Sequence, residues 1–429
     1  MNQIKVCHSD PLKGEASPPP DKSISHRAVI FSSLAEGRSV IENFLAAEDP
    51  MRTLEAFRQM GIEIEQSADG RTVTIIGKGL RGLSEPVGPI DCGNSGTTMR
   101  MMSGVLSGQP FSSTLTGDRY LLKRPMQRVI GPLTKMGAVI TSESGGLPPL
   151  HIKGGNLSPI KYNSPVASAQ VKSAILLAGL YCNGITTVVE PERSRDHTER
   201  MLRAAGVDIN VQGLEVSIKG PARLNPMDIR VPADFSSAAF FIVAGLLVPG
   251  SEVLIKDVGI NQTRTGLLDI LIMMGASIQL LNQRDISGEP VADIFVKHSS
   301  LSGIETGGEM LLRAIDEFPI LCVVAALADG TTKITGAKEL RVKESDRIAA
   351  MALELAKMGV KVEELPDGII IKGNESLKAA KVHSHGDHRI AMSMVVAGFM
   401  AKGETTVDDT ECIDTSFPGF MDMMNRLRQ

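Results

Sequence analysis

Short runs of lysine, arginine and small hydroxyl residues recur along this 429-residue chain, at Asp21-Lys-Ser-Ile-Ser-His-Arg27, Gly93-Asn-Ser-Gly-Thr-Thr98 and Ser168-Ala169-Gln170. Each stands where an apolar, small-residue helix is expected to begin. A helix N-terminus exposes N–H groups without intrahelical partners and carries about half a positive charge, so several aimed at one place form a site for phosphates and carboxylates. Ser, Asn and Thr there could equally be ordinary N-caps. Three such starts, two of them flanked by Lys22, Arg27 and Arg100, favour the anion site. Further cations stand in Arg124-Pro-Met, Arg195-Asp-His-Thr198, Lys343-Glu-Ser-Asp-Arg347 and Gly386-Asp-His-Arg389, at the ends of strands or the starts of helices. One surface cation is usually only solvated charge. Recurrence at equivalent places along the chain is harder to explain that way.

A carboxylate among these cations would be held ionised, as a proton acceptor must be. Asp316, in Ala314-Ile-Asp-Glu-Phe-Pro319, is the candidate, its alternative role being an N-cap; Glu344, beside Lys343 and Arg347, is a candidate partner acid or base. Other signals fail their context. Gly77-Lys-Gly-Leu-Arg-Gly82 matches G-x-G-x-x-G after a strand, but a Pro-bearing loop follows where a dinucleotide site needs a helix. His383, His385 and His388 lack a Cys or acidic set at ligand spacing, so no metal is expected. No G-x-x-x-x-G-K-[ST] run occurs to imply ATP.

What must position these residues is a recurring unit. Small-residue helices close on Gly37, Gly108, Gly184, Gly250, Gly330 and Gly403, which are 66 to 80 residues apart, the size of a βαβ-type unit. Each glycine precedes a β-branched run such as Ile185-Thr-Thr-Val-Val or Ser251-Glu-Val-Leu-Ile, read as a strand. A second helix then stops at Met60-Gly61, Met136-Gly137, Ala205-Gly206, Met274-Gly275 or Met358-Gly359, and short alternating stretches follow. The pattern predicts six α/β units of the form strand, helix, strand, helix and two strands, three to a domain. The chain is expected to cross near Val231-Pro-Ala-Asp234 and again at Ser17-Pro-Pro-Pro-Asp21. The expected domains are 21–234 and a discontinuous one of 1–20 plus 235–429.

Bulk properties agree with a two-domain globular enzyme. The length exceeds the roughly 250–300 residues at which one core stops growing, and 42% apolar with 22% charged residues is a folded composition. A net charge of −4 without a basic tail or stripe, no Trp and three Tyr argue against nucleic acid. The five cysteines, Cys7, Cys92, Cys182, Cys322 and Cys412, are scattered and odd in number, and read as buried thiols of a reducing compartment. No signal or transit segment is recognisable. The longest apolar run, Ala238 to Val248, has eleven residues against the roughly 20 that span a bilayer. A cytoplasmic, membrane-free protein is the expectation.

At the same motifs, together with Leu122-Lys-Arg-Pro-Met126 and Arg341-Val-Lys-Glu-Ser-Asp-Arg347, the chain resembles the 5-enolpyruvylshikimate-3-phosphate synthase family from end to end. The resemblance implies two domains, each an inside-out α/β barrel of three βαβαββ repeats, with the N-terminal strand in the second. It implies addition of the 5-hydroxyl of shikimate-3-phosphate to C2 of phosphoenolpyruvate, followed by loss of phosphate, with no cofactor or metal. Carried over motif by motif, Lys22, Ser23, Arg27, Ser168, Ala169, Gln170, Arg195, Asp316 and Lys343 would hold shikimate-3-phosphate. Lys22, Gly96, Arg124, Gln170, Arg347 and Arg389 would hold phosphoenolpyruvate. Asp316 resembles the base, with Lys22 and Glu344 handling the other protons. Only these small molecules are expected as partners, and a monomer is the expectation. Ser168-Ala169-Gln170 resembles the class that often tolerates glyphosate, whereas Gly96 keeps a glycine that tolerant members often replace.

Two rivals remain at this stage. One is the UDP-N-acetylglucosamine enolpyruvyl transferase family, which usually carries a reactive Cys before its Arg-Pro; Gly117-Asp-Arg-Tyr-Leu-Leu-Lys-Arg-Pro125 has none. The other is a non-catalytic repeat scaffold, which would not require cations at matching unit ends.

Overall fold

The computed structural model describes residues 3–373 and 376–428. The chain divides into two units by its contacts: Pro20–Val231 with Ile286–Glu289, and the residues up to Pro19 with Pro232–Asp285 and Pro290 onward. Relative to the expected ranges, 232–234 go with the later residues, while Pro20 and a four-residue turn, 286–289, go with the unit Pro20–Val231.

In the first unit three helices, Lys22–Leu34, Gly96–Ser107 and Ala169–Gly179, are buried along nearly their whole length. Their small residues permit this. A Cβ at Gly104 would lie 2.2 Å from the carbonyl of Ala174, so the glycine lets two of these helices touch backbone to backbone. Each inner helix feeds a strand of a four-stranded sheet: Glu36–Glu42, Ser112–Thr116 and Gly184–Val189. Strands such as Thr72–Lys78 alternate buried and exposed residues, as a sheet with one face on the core must. The outer helices Glu48–Gln59, Gln127–Lys135 and His197–Ala204 bury one side only. The expected stop glycines end them; Gly61, for example, has φ 82°, the left-handed cap that releases a helix into a strand.

The second unit repeats the plan around Phe235–Leu247, in which every residue is buried, Phe318–Leu327 and His388–Phe399. Two strands exchange places between the repeats. Asp228–Arg230 pairs parallel with Glu36–Glu42 in the first unit, while Lys13–Ala16 pairs parallel with Glu252–Gly259 in the second. Each thereby completes the sheet of a repeat distant in sequence.

The sixth repeat departs from the six identical units expected. After the strand Thr405–Asp408 the chain runs through a turn into the helix Phe420–Leu427, with no closing hairpin. The N-terminal strand Gln3–Val6 supplies the antiparallel neighbour of Thr405–Asp408 instead. The cysteines also differ from expectation: Cys92, Cys182 and Cys322 are buried, but Cys7 is exposed and Cys412 only half-buried. Among the described residues no helix is long and apolar enough to cross a membrane.

The G-x-G-x-x-G match is explained by packing. Cβ atoms at Gly77 and Gly82 would stand 2.2 Å from the Ser32 carbonyl and 2.1 Å from the Lys78 carbonyl, so both are close-approach positions, Gly77 in the strand Thr72–Lys78 and Gly82 in the loop after it.

Candidate active site

In the first unit the inner helix starts hold the side chains expected from sequence to bind anions. Asp21 caps the helix Lys22–Leu34, its carboxylate accepting the Ile24 N–H at 2.8 Å, and Lys22 opens the helix with Nζ 3.1 Å from Asp49 Oδ2. Ser23, half-buried, offers its carbonyl to Arg27 Nη1 at 2.9 Å. Arg27 is almost wholly buried. It donates from Nε to Thr198 Oγ1 at 2.7 Å and from Nη2 to Ser173 Oγ at 2.9 Å, joining the first helix to the third and to the segment after Arg195. Burial pushes the Arg27 pKa down to about 10, against the pull of Glu199 and Asp21, and leaves it charged at neutral pH.

Ser95 caps the helix Gly96–Ser107 by accepting the Thr98 N–H at 3.1 Å. Ser168 caps Ala169–Gly179. The second residue of that helix, Gln170, joins the two starts: its Oε1 accepts from Arg100 Nη1 at 2.6 Å and its Nε2 donates to Thr97 Oγ1 at 2.9 Å. Arg124 lies on the same side, donating to Asn94 Oδ1 at 2.6 Å, and a Cβ at Gly96 would stand 2.6 Å from Arg100 Nη1 and 3.7 Å from Arg124 Nη1. Arg195 is half-buried immediately before the helix His197–Ala204.

In the second unit Arg347 organises the site. It opens the helix Arg347–Lys357 with its side chain 1% exposed. Nε is 2.7 Å from Asp387 Oδ2, Nη2 is 2.7 Å from Glu344 Oε2 and Nη1 is 3.5 Å from Asp316 Oδ1. Burial opposes the charge, but Asp387, Glu344 and Asp316 outweigh it and hold the Arg347 pKa above the ordinary arginine value. Asp387 also caps His388–Phe399, accepting the Arg389 N–H at 2.9 Å. Arg389 Nη1 donates to the Asp316 carbonyl at 3.2 Å, and Nη2 is 3.7 Å from Asp316 Oδ2. Lys343 is half-buried just ahead of Glu344.

Asp316 does not open the fifth inner helix as expected. It lies in a 3-10 turn, Ile315–Glu317, and the cap position of Phe318–Leu327 falls to Glu317. Pro319 falls in the first turn of Phe318–Leu327, where a residue without an N–H is tolerated, and Asp316 lies ahead of that turn, facing two guanidinium groups. Two cations this close favour the charged carboxylate, the form in which a proton acceptor starts. His383 and His385 belong to a separate cluster, with His385 Nε2 and Lys357 Nζ each 2.7 Å from the buried Glu354 carboxylate.

Several residues with a part in this geometry were not singled out from sequence: Asn94, which seats Arg124; Thr97; Asp387, which seats Arg347; and Lys172. Asn94 and Asp387 sit inside recognised motifs, but nothing local reveals what they hold. Lys172 carried a signal of its own, as a lone charge in the apolar run Val171 to Leu177.

A buried chain of side chains crosses the same helix starts. His26 Nδ1 is 2.7 Å from Thr53 Oγ1, which is 2.8 Å from Thr98 Oγ1, itself 2.8 Å from Ser95 Oγ. Burial, with Lys22 and Arg27 adding to it, pushes the His26 pKa from about 6.5 down to about 3. Between those values the unfolded chain binds a proton here and the folded chain does not, so stability is complete above about pH 6.5 and falls as pH drops toward about 3. Unfolding in denaturant across that range should show a steeper acid-side loss for the natural protein than for His26→Asn. Equal slopes would refute the assignment.

Six α/β repeats in two units are the architecture of the enolpyruvyl transferases. The family model of EPSP synthase (3-phosphoshikimate 1-carboxyvinyltransferase) matches residues 6–424, and the chain belongs to this family. The 3-phosphoshikimate 1-carboxyvinyltransferase of Citrifermentans bemidjiense is 56% identical over 430 aligned positions covering 100% of both chains. That of Geotalea uraniireducens is 57% identical, covering 100% of this chain and 99% of its own. A solved EPSP synthase structure from Acinetobacter baumannii superposes with a TM-score of 0.90 at 47% identity, over 100% of this chain and 98% of that one. The chain is accordingly an enzyme of the shikimate pathway that transfers an enolpyruvyl group.

Proposed function

We propose that the residues gathered at the helix starts carry out transfer of the enolpyruvyl group of phosphoenolpyruvate to the 5-hydroxyl of shikimate-3-phosphate, with Asp316 taking the hydroxyl proton. The observation that supports this most is the Asp316 carboxylate, 15% exposed, lying within 4 Å of both Arg347 and Arg389. As the hydroxyl oxygen attacks C2, its proton passes to Asp316 and C3 gains a proton from Lys22 or Glu344. Collapse of the tetrahedral adduct breaks the bond from C2 to the phosphate oxygen, returns the C3 proton to the protein and releases phosphate. Arg124, Arg347, Arg389, Gln170, Lys22 and the backbone at Gly96 hold the donor, and fixed cations stabilise charge on the departing phosphate. Lys22, Ser23, Arg27, Ser168, Ala169, Gln170, Arg195, Asp316 and Lys343 hold the acceptor. The enzyme acts as a monomer in the cytoplasm, where its free thiols stay reduced.

Incubating the purified protein with phosphoenolpyruvate and either shikimate-3-phosphate or UDP-N-acetylglucosamine tests this directly. Phosphate should appear with the first acceptor alone; release with the second overturns the substrate assignment. Arg124→Ala should raise the KM for phosphoenolpyruvate roughly tenfold or more, the value of one charge-assisted hydrogen bond, and leave that for shikimate-3-phosphate nearly unchanged. Equal weakening of both substrates contradicts the role given to Arg124.

A further inference from the structure

One buried ammonium group ties together the helix and the loop that carry the acceptor residues. Lys172 lies in the first turn of Ala169–Gly179 with its side chain 2% exposed, and its Nζ is 2.7 Å from Glu190 Oε2 and 2.7 Å from Glu199 Oε1. Glu190 follows directly on the strand Gly184–Val189, and Glu199 belongs to the helix His197–Ala204. The intervening stretch, which holds Arg195, is therefore pinned at both ends to a single nitrogen. Ser194, the residue before Arg195, donates its hydroxyl to the other oxygen of Glu190 at 2.5 Å. Arg27 joins the same assembly through Ser173 and Thr198, the chain neighbours of Lys172 and Glu199.

Stability alone does not account for this arrangement. Taking three charges out of water is costly, and exchanging a buried ion cluster for apolar side chains of similar volume is often neutral or stabilising. Along this helix Val171, Ala174 and Ile175, close to Lys172 in the chain, are apolar and buried. One positive and two negative groups leave a net negative charge, which balances Arg27; Glu199 counters the effect of burial on that arginine. The cluster keeps a required cation charged in a dry place and fixes where the adjoining loop can lie.

We propose that Lys172, with Glu190 and Glu199, positions Arg195 and Arg27 for the phosphorylated acceptor. The inference rests on the acceptor assignment above. Lys172 and its partners are positioning residues, since they act through the two arginines.

Lys172→Met alone would strand two buried carboxylates, so the test uses Glu190→Gln, which keeps the Lys172–Glu199 pair, and Lys172→Met/Glu190→Gln, which keeps the net charge of the cluster. KM for each substrate, kcat and the melting temperature are measured alongside Arg195→Ala. Both variants should raise the KM for shikimate-3-phosphate about tenfold or more while that for phosphoenolpyruvate and kcat at saturation stay within about threefold. A lowered melting temperature with both KM values unchanged, or raised equally, makes the cluster structural only and overturns the proposal. If Arg195→Ala itself leaves the KM for shikimate-3-phosphate unchanged, it is the acceptor assignment that fails. If Arg195→Ala raises it and the cluster variants do not, the positioning role alone fails.

Discussion

Asp316→Asn is expected to fold normally, to bind shikimate-3-phosphate and to turn over roughly 10²–10⁴-fold more slowly, the usual loss on removing one general base. The change keeps the size of the side chain and its capacity to accept a hydrogen bond, but removes the ability to take a proton. Because Asp316 sits in the 3-10 turn ahead of Phe318–Leu327 and not at its cap, no helix start depends on its charge. What it gives up includes ion pairing with Arg347 at 3.5 Å and Arg389 at 3.7 Å, but Arg347 keeps its shorter pairs with Asp387 and Glu344, each at 2.7 Å. Turnover, calorimetric binding of shikimate-3-phosphate and a melting curve together decide the matter. Near-normal turnover with an unchanged melting temperature would make Asp316 a ligand only, and would move the role of base to Lys22 or Glu344.

Arg347→Ala is expected to lose stability and activity together. The side chains of Arg347 and Asp387 are 1% and 0% exposed, and removing the arginine strands a buried carboxylate, at a cost of about 3–5 kcal/mol. Asp387 also caps the helix that presents Arg389, so the damage reaches that residue as well. Arg347→Lys separates the two effects. A lysine restores the charge but cannot reach Asp387, Glu344 and Asp316 with one planar fork. It should recover much of the stability and little of the affinity for phosphoenolpyruvate. Unfolding in guanidinium chloride measures the first and KM the second. A midpoint for Arg347→Ala indistinguishable from that of the natural protein would show that Asp387 finds another partner.

Much of this architecture is legible along the chain because the features that carry it are local. Outer helices stop where Gly61, Gly137, Gly206, Gly275 and Gly359 adopt positive φ, a preference of the residue itself. Inner helices betray themselves by small and apolar residues on every side, as from Phe235 to Leu247, since a helix enclosed by protein has no face for water. Caps such as Asp21, Ser95 and Ser168 mark helix starts within three residues of the group they bind. The runs of Lys, Arg and hydroxyl residues at the helix starts are visible for the same reason.

The partners of those runs were decided elsewhere. Asp316 meets an arginine 31 residues later and another 73 residues later, and no periodicity connects them. Lys172 shows as an odd charge in an apolar helix, but its two glutamates are identified only once the strand Gly184–Val189 and the helix His197–Ala204 are laid beside it. The sixth repeat lacks a hairpin that the five before it possess, and the N-terminal strand Gln3–Val6 fills the place because the edge of Thr405–Asp408 offers backbone groups that need partners. Local preference selects helix, strand and cap one residue at a time. Which distant side chains share a buried space depends on how the finished elements pack, where the cost of leaving a charge or a sheet edge without a partner selects among arrangements that the chain reads alike.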